Sequence, residues 1–78
     1  MLTLNERIKI VKEMHKYVSD VVGYDDLYYD AWCANAVPDG ADETDFENIA
    51  EDLDLWRLAV KTFCEVVAIG EERDRDGY

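Results

Sequence analysis

Seventy-eight residues, 49% apolar and 35% charged, are enough for one small hydrophobic core and no second domain. The chain is too hydrophobic to stay disordered and, with four Gly and one Pro, too irregular for a fibre or low-complexity tract. A formal charge of -11 at pH 7, from 19 acidic against 8 basic residues, excludes a surface that binds phosphate in bulk, since that needs clustered Lys and Arg.

In chain order, Leu4, Ile8, Val11, Met14, Val18, Val21 and Val22 recur at three- and four-residue steps and predict a first amphipathic helix. Thr3 with Glu6 has the spacing of a capping box at its start, and Gly23 supplies its end. A short second helix is predicted over about 26–36, with Asp25 and Asp26 as candidate N-caps; Pro38-Asp39-Gly40 then reads as a tight turn that reverses the chain. The clearest periodicity comes next, in Phe46, Ile49, Leu53, Trp56, Val60, Phe63 and Val67. Thr44 with Glu47 has capping-box spacing at the start of this segment, and Gly70 is expected to end it. Asp52 and Asp54 are poor helix-interior residues and good N-caps, so the segment is either continuous or divides into a short helix to about Glu51 and a longer one from about Leu53. No run alternates as a β-strand would. The expected fold is therefore all-α, a small three- or four-helix bundle over residues 1–70 with a charged, frayed tail over 71–78.

Charge is distributed unevenly along this plan. Residues 1–19 carry four basic and two acidic side chains, residues 20–54 carry twelve acidic and no Lys or Arg, and residues 55–78 are nearly balanced. Halophilic adaptation would spread acids over the whole surface, whereas here the first nineteen residues are net basic. In a continuous helix, Glu47, Glu51 and Asp54 would form a row of mutually repelling carboxylates on one face. Such a row can occupy a protein groove built for the phosphates of nucleic acid. Some acids have another use, because those near helix starts cap them, and acidic faces also confer solubility.

The acids come with aromatics in the stretch YDDLYYDAW. Tyr24, Tyr28, Tyr29 and Trp32 cannot all face the core of so short a helix; if Tyr28 and Trp32 do, Tyr29 is the exposed one. The candidate protein-binding surface accordingly comprises Asp25, Asp26, Tyr29 and Asp30 of the second helix and Asp39 and Asp42 of the turn and its exit. It continues through Glu43, Asp45, Glu47 and Glu51 to Asp52 and Asp54.

Catalytic signals are weak. His15 and Ser19 lie four apart on the first helix, but Asp20 points to another face and no oxyanion-hole loop is evident. One His and two separated Cys lack the paired spacing of a zinc site, and no phosphate-binding glycine motif occurs. Cys33 and Cys64 sit among apolar neighbours and read as buried small hydrophobes; two cysteines are too few for a disulfide framework, which favours a reducing compartment. MLTLNERIKI lacks the basic-then-apolar pattern of a signal peptide, and no apolar run is long enough to span a bilayer. The expectation is a soluble cytoplasmic protein that is not an enzyme, with no cofactor, no metal, no membrane contact and no direct nucleic-acid contact.

In size, acidity and absence of enzymatic motifs, with VPDGADETDFENIAEDLD as the most suggestive stretch, the chain resembles the small phage-encoded anti-defence proteins, among them anti-CRISPR proteins and other DNA mimics. That resemblance implies an inhibitor that occludes the basic groove of a nucleic-acid-binding protein such as a bacterial defence nuclease. It assigns no individual residue. The alternative is a non-enzymatic structural or regulatory helical protein that self-associates as a homodimer, sharing the Phe46 to Val67 stripe between protomers.

Overall fold

A computed structural model describes residues 2–23 and 26–75. Within them the chain is an all-α bundle of four helices, α1 (Leu4–Tyr17), α2 (Leu27–Asn35), α3 (Glu43–Glu51) and α4 (Leu53–Arg75), with no strand among the described residues. Helix α1 packs against α3 and α4, and α4 also packs against α2 and α3. The 23 residues of α4, at 1.5 Å rise each, span about 35 Å and account for most of the 39 Å long axis of the molecule.

Local chemistry sets each boundary. The Thr3 hydroxyl accepts from the Glu6 N–H at 3.2 Å, and the Glu6 carboxylate accepts from the Thr3 N–H at 3.0 Å. The Thr3 backbone N–H, and after it the Thr3 side chain, hold the Glu6 carboxyl below its ordinary pKa. Past Tyr17 the helix widens into a π-turn over Val18–Val22, closed by the Gly23 N–H donating to the Val18 carbonyl, five residues back, at 3.2 Å. The wider turn brings Val22 against the core beneath Val18 and rotates Val21 out to solvent. Gly23 then takes φ 92° and ψ 150°, a region essentially closed to side-chain-bearing residues. Asp26 caps α2 by accepting from the Tyr28 N–H at 2.9 Å. The turn expected at Pro38-Asp39-Gly40 is closed by the Ala41 N–H donating to the Pro38 carbonyl, with Gly40 at φ 73°.

Three boundaries differ from or resolve the expectation. The capping box of α3 is Asp42 with Asp45, not Thr44 with Glu47: Asp42 accepts from the Asp45 N–H at 3.1 Å and Asp45 from the Asp42 N–H at 3.0 Å. The turn at Gly40 ends early enough for the first available Asp to start the helix, which leaves Thr44 inside its first turn. The long apolar segment divides at Asp52, whose backbone is extended at φ -91° and ψ 108°. Its side chain accepts from the N–H groups of Asp54 and Leu55 at 3.0 and 3.3 Å, so the residue that stops α3 also starts α4. Helix α4 continues through Gly70 to Arg75 rather than ending at Gly70; one helix-interior glycine costs only about 1 kcal/mol, and Glu and Arg in the sequence beyond it are good helix formers.

The core gathers Val11, Met14 and Val18 of the first helical segment, Tyr29 and Trp32 of α2, Val37 of the following loop, Ile49 of α3 and Ala59 of α4. Trp32 is fully enclosed and meets the Phe63 ring edge-on, with centroids 6.2 Å apart; Tyr17 meets the same ring edge-on at 5.5 Å. Phe46, Trp56, Val60 and Phe63 pack against this centre, so the Phe46 to Val67 stripe is committed largely to the chain's own core.

Candidate functional site

The fold itself uses six of the eleven candidate acids. Asp26, Asp42, Asp45 and Asp52 satisfy backbone N–H groups at helix starts, where the positive end of the helix dipole also favours a carboxylate. Glu43 pairs with Lys12 at 2.6 Å, joining α3 to α1 in the one salt bridge among the described residues. Asp39 accepts from the Tyr29 hydroxyl at 3.0 Å. Asp30 and Asp54 have no such bond but lie in the first turns of α2 and α4, again on the favourable side of the dipole. Asp25 lies outside the described residues.

Glu47 and Glu51 remain. They stand four residues apart on the solvent side of α3, both exposed, while Phe46, Ile49 and Ala50 carry the inward side. Neither makes a hydrogen bond or ion pair among the described residues. Their mutual repulsion costs roughly 0.2–0.5 kcal/mol. Glu51 is also in the last turn of α3, which contains no basic residue and where the dipole disfavours a negative charge. The cation at that end comes from α1: the Arg7 guanidinium donates through Nε to the Ala50 carbonyl at 2.9 Å and through Nη1 to the Leu2 carbonyl at 3.0 Å. Because the chain turns at Asp52, the row of Glu47, Glu51 and Asp54 expected of a continuous helix does not form; Asp54 belongs to a second helix that starts after the corner.

Tyr29, expected on the exposed binding surface, lies in the core instead. It is only 3% exposed, because the inward stripe of α2 is Tyr29, Trp32, Cys33 and Ala36, whereas Tyr28 is half-buried. Burial, reinforced by the bond to Asp39, pushes the Tyr29 hydroxyl well above its ordinary pKa. That spacing of one, four, five and eight is present in the sequence, but the i, i+4 pair of Tyr28 and Trp32 competes with it. Cys33 is half-buried, and burial raises its thiol pKa; Cys64 is exposed, contrary to the expectation that both cysteines are buried.

Sequence reasoning also missed a polar junction beside the core. The Trp32 indole Nε1 donates to His15 Nδ1 at 3.2 Å, and the His15 ring lies against Phe46 with centroids 5.5 Å apart. Burial lowers the His15 pKa, opposed in part by the Asp39 charge, and the acceptor role of Nδ1 requires the neutral ring. His15 does not reach Ser19, whose hydroxyl donates instead to the Lys16 carbonyl. No group of three or more metal-ligating side chains converges among the described residues, and no helix there is long and apolar enough to cross a membrane.

Two shallow clefts open on the surface. One, of about 250 Å³, runs between α2 and α4; the other, of about 260 Å³, lies where Leu2 and Arg7 approach Leu53, Trp56 and Arg57. In comparisons with known proteins, no family model, no curated protein and no solved structure matches the chain.

Proposed function

We propose that this chain is a small acidic protein-binding module whose α3 face engages a basic surface on another protein, as an inhibitor that occupies a groove made for nucleic acid. The observation that carries the reading is the placement of Glu51. A carboxylate beside Glu47 and at the C-terminal end of the α3 dipole is unfavourable to the fold, and no described residue pairs with it: the Arg7 guanidinium at that end donates to the Ala50 and Leu2 carbonyls. For a domain of this size, which has only a few kcal/mol of stability, such a placement is best explained by a partner. Twelve acids without one Lys or Arg over residues 20–54 supply the surrounding field, to which a carboxylate that caps a helix contributes as well. That field steers a basic partner toward the face, and exclusion of nucleic acid then results from occupancy alone, with no catalytic step.

The test compares tagged wild type with Glu47→Gln/Glu51→Gln in affinity capture from a nuclease-treated lysate. Both substitutions preserve shape and remove charge. The wild type is expected to retain a nucleic-acid-binding protein that the variant does not; identical recovery by the two would refute a role for these carboxylates.

A further inference from the structure

A second face of the molecule is apolar rather than acidic. On α4, Leu55, Leu58, Glu65 and Ile69 lie exposed at helical spacing around the buried Thr62, which is at the base of the same side. This stripe borders the cleft between α2 and α4, whose opposite wall is formed by Tyr28, Ala31 and Asn35. Leu58 and Ile69 are 44% and 41% exposed there, and Leu27, one turn before Ala31 on α2, is 80% exposed. Leu58 and Ile69 are the large exposed apolar side chains of the cleft itself, and exposed apolar surface in a cleft of so small a domain marks a contact surface.

The charges on the cleft identify the occupant. Its lining contains one basic and one acidic residue, Lys61 and Glu65, four apart on α4 and not ion-paired to each other or to any other described residue. A basic foreign surface gains nothing from such a face, whereas a patch with one charge of each sign is self-complementary. Two-fold packing requires that property, because the same patch must serve on both subunits. A two-fold axis crossing α4 near residue 63 would set two α4 helices antiparallel. Lys61 of each copy would then lie opposite the partner's Glu65, and Leu58 of each near the partner's Ile69. We infer that the α2–α4 cleft is the interface of a homodimer, in which the α4 stripe of one copy covers the cleft of the other. The inference is independent of the proposed partner, which would bind α3.

Sedimentation equilibrium of the full chain over a wide concentration range tests it. The wild type is expected to reach twice the 9.0 kDa of one chain, and Leu58→Asp to remain at 9.0 kDa with its helical circular dichroism retained, since the residue replaced is exposed. Lys61→Glu alone is expected to weaken association and Lys61→Glu/Glu65→Lys to restore it, a pattern that decides the matter even if Leu58→Asp unfolds. Glu47→Gln/Glu51→Gln should leave the mass unchanged, which separates this interface from the acidic face. A wild type that stays at 9.0 kDa at every concentration would overturn the homodimer and leave the cleft to a foreign partner. A doubled mass insensitive to both Leu58→Asp and Lys61→Glu would place the interface elsewhere and equally overturn it.

Discussion

Glu51, Arg7 and His15 show three ways in which single side chains bear on this fold. If Glu51 serves a partner rather than the fold, Glu47→Gln/Glu51→Gln should be more stable than wild type by about 0.3–1 kcal/mol, because it relieves both the pair repulsion and the clash with the dipole. Urea denaturation measures this, and a loss of stability would mean that the carboxylates are structural. Arg7→Ala should instead cost about 1–3 kcal/mol, since it leaves the carbonyl of the fully buried Ala50 without its guanidinium donor at the end of α3. His15 makes stability depend on pH. Its folded pKa lies below the ordinary value of 6.5, so the unfolded chain takes up the proton first. The stabilisation is therefore complete above about 6.5 and is lost as the pH falls below it, until the folded form protonates too. Denaturation midpoints should decline over that interval in the wild type and remain flat in His15→Gln.

At the scale of elements, legibility in the sequence depends on whether a signal is local. The Thr3–Glu6 box, the Asp26 cap and the turn at Gly40 depend on residues within four positions of one another, and all form as read. Gly23 also ends its helix as read, but the π-turn before it depends on how Val18 and Val22 share the core, which spacing alone does not reveal. The choice between Tyr28 and Tyr29 is likewise settled by packing, since either register gives α2 an apolar stripe. Gly70 is misleading because a glycine within a helix and one that ends it differ only in the helix-forming strength of the residues beyond. The break at Asp52 was open in the sequence, and its cap gives it a measurable signature. Asp52→Ala should destabilise by about 1 kcal/mol and Asp52→Asn by far less, because an amide oxygen also accepts from the Asp54 and Leu55 N–H groups. Gly23→Ala should cost about 1–3 kcal/mol, as no side-chain-bearing residue adopts its backbone angles without strain, although there is open space for a Cβ. Thermal denaturation of the three variants ranks these costs directly.

Across the whole molecule, the linear charge map becomes two surfaces of different character. The span of residues 20–54 was legible as acidic, but not which acids the fold consumes, because capping and pairing depend on where helices start and on which lysine reaches across. Of the twelve acids of that span, six hold caps or side-chain pairs in the fold, and among the rest Glu47 and Glu51 are the two that stand together on one exposed helix face. The α2–α4 cleft was not legible at all, since its walls come from separate segments and its stripe on α4 runs beside the stronger one that builds the core. The central claim is that the acidic surface competes with nucleic acid for a basic groove. It is tested most directly by titrating duplex DNA or structured RNA onto the protein captured by the wild-type chain, at low and at high salt. Release by nucleic acid, with weaker capture at high salt, is the expected result. Recovery of the bait alone, or a captured protein that neither nucleic acid nor salt displaces, would contradict it.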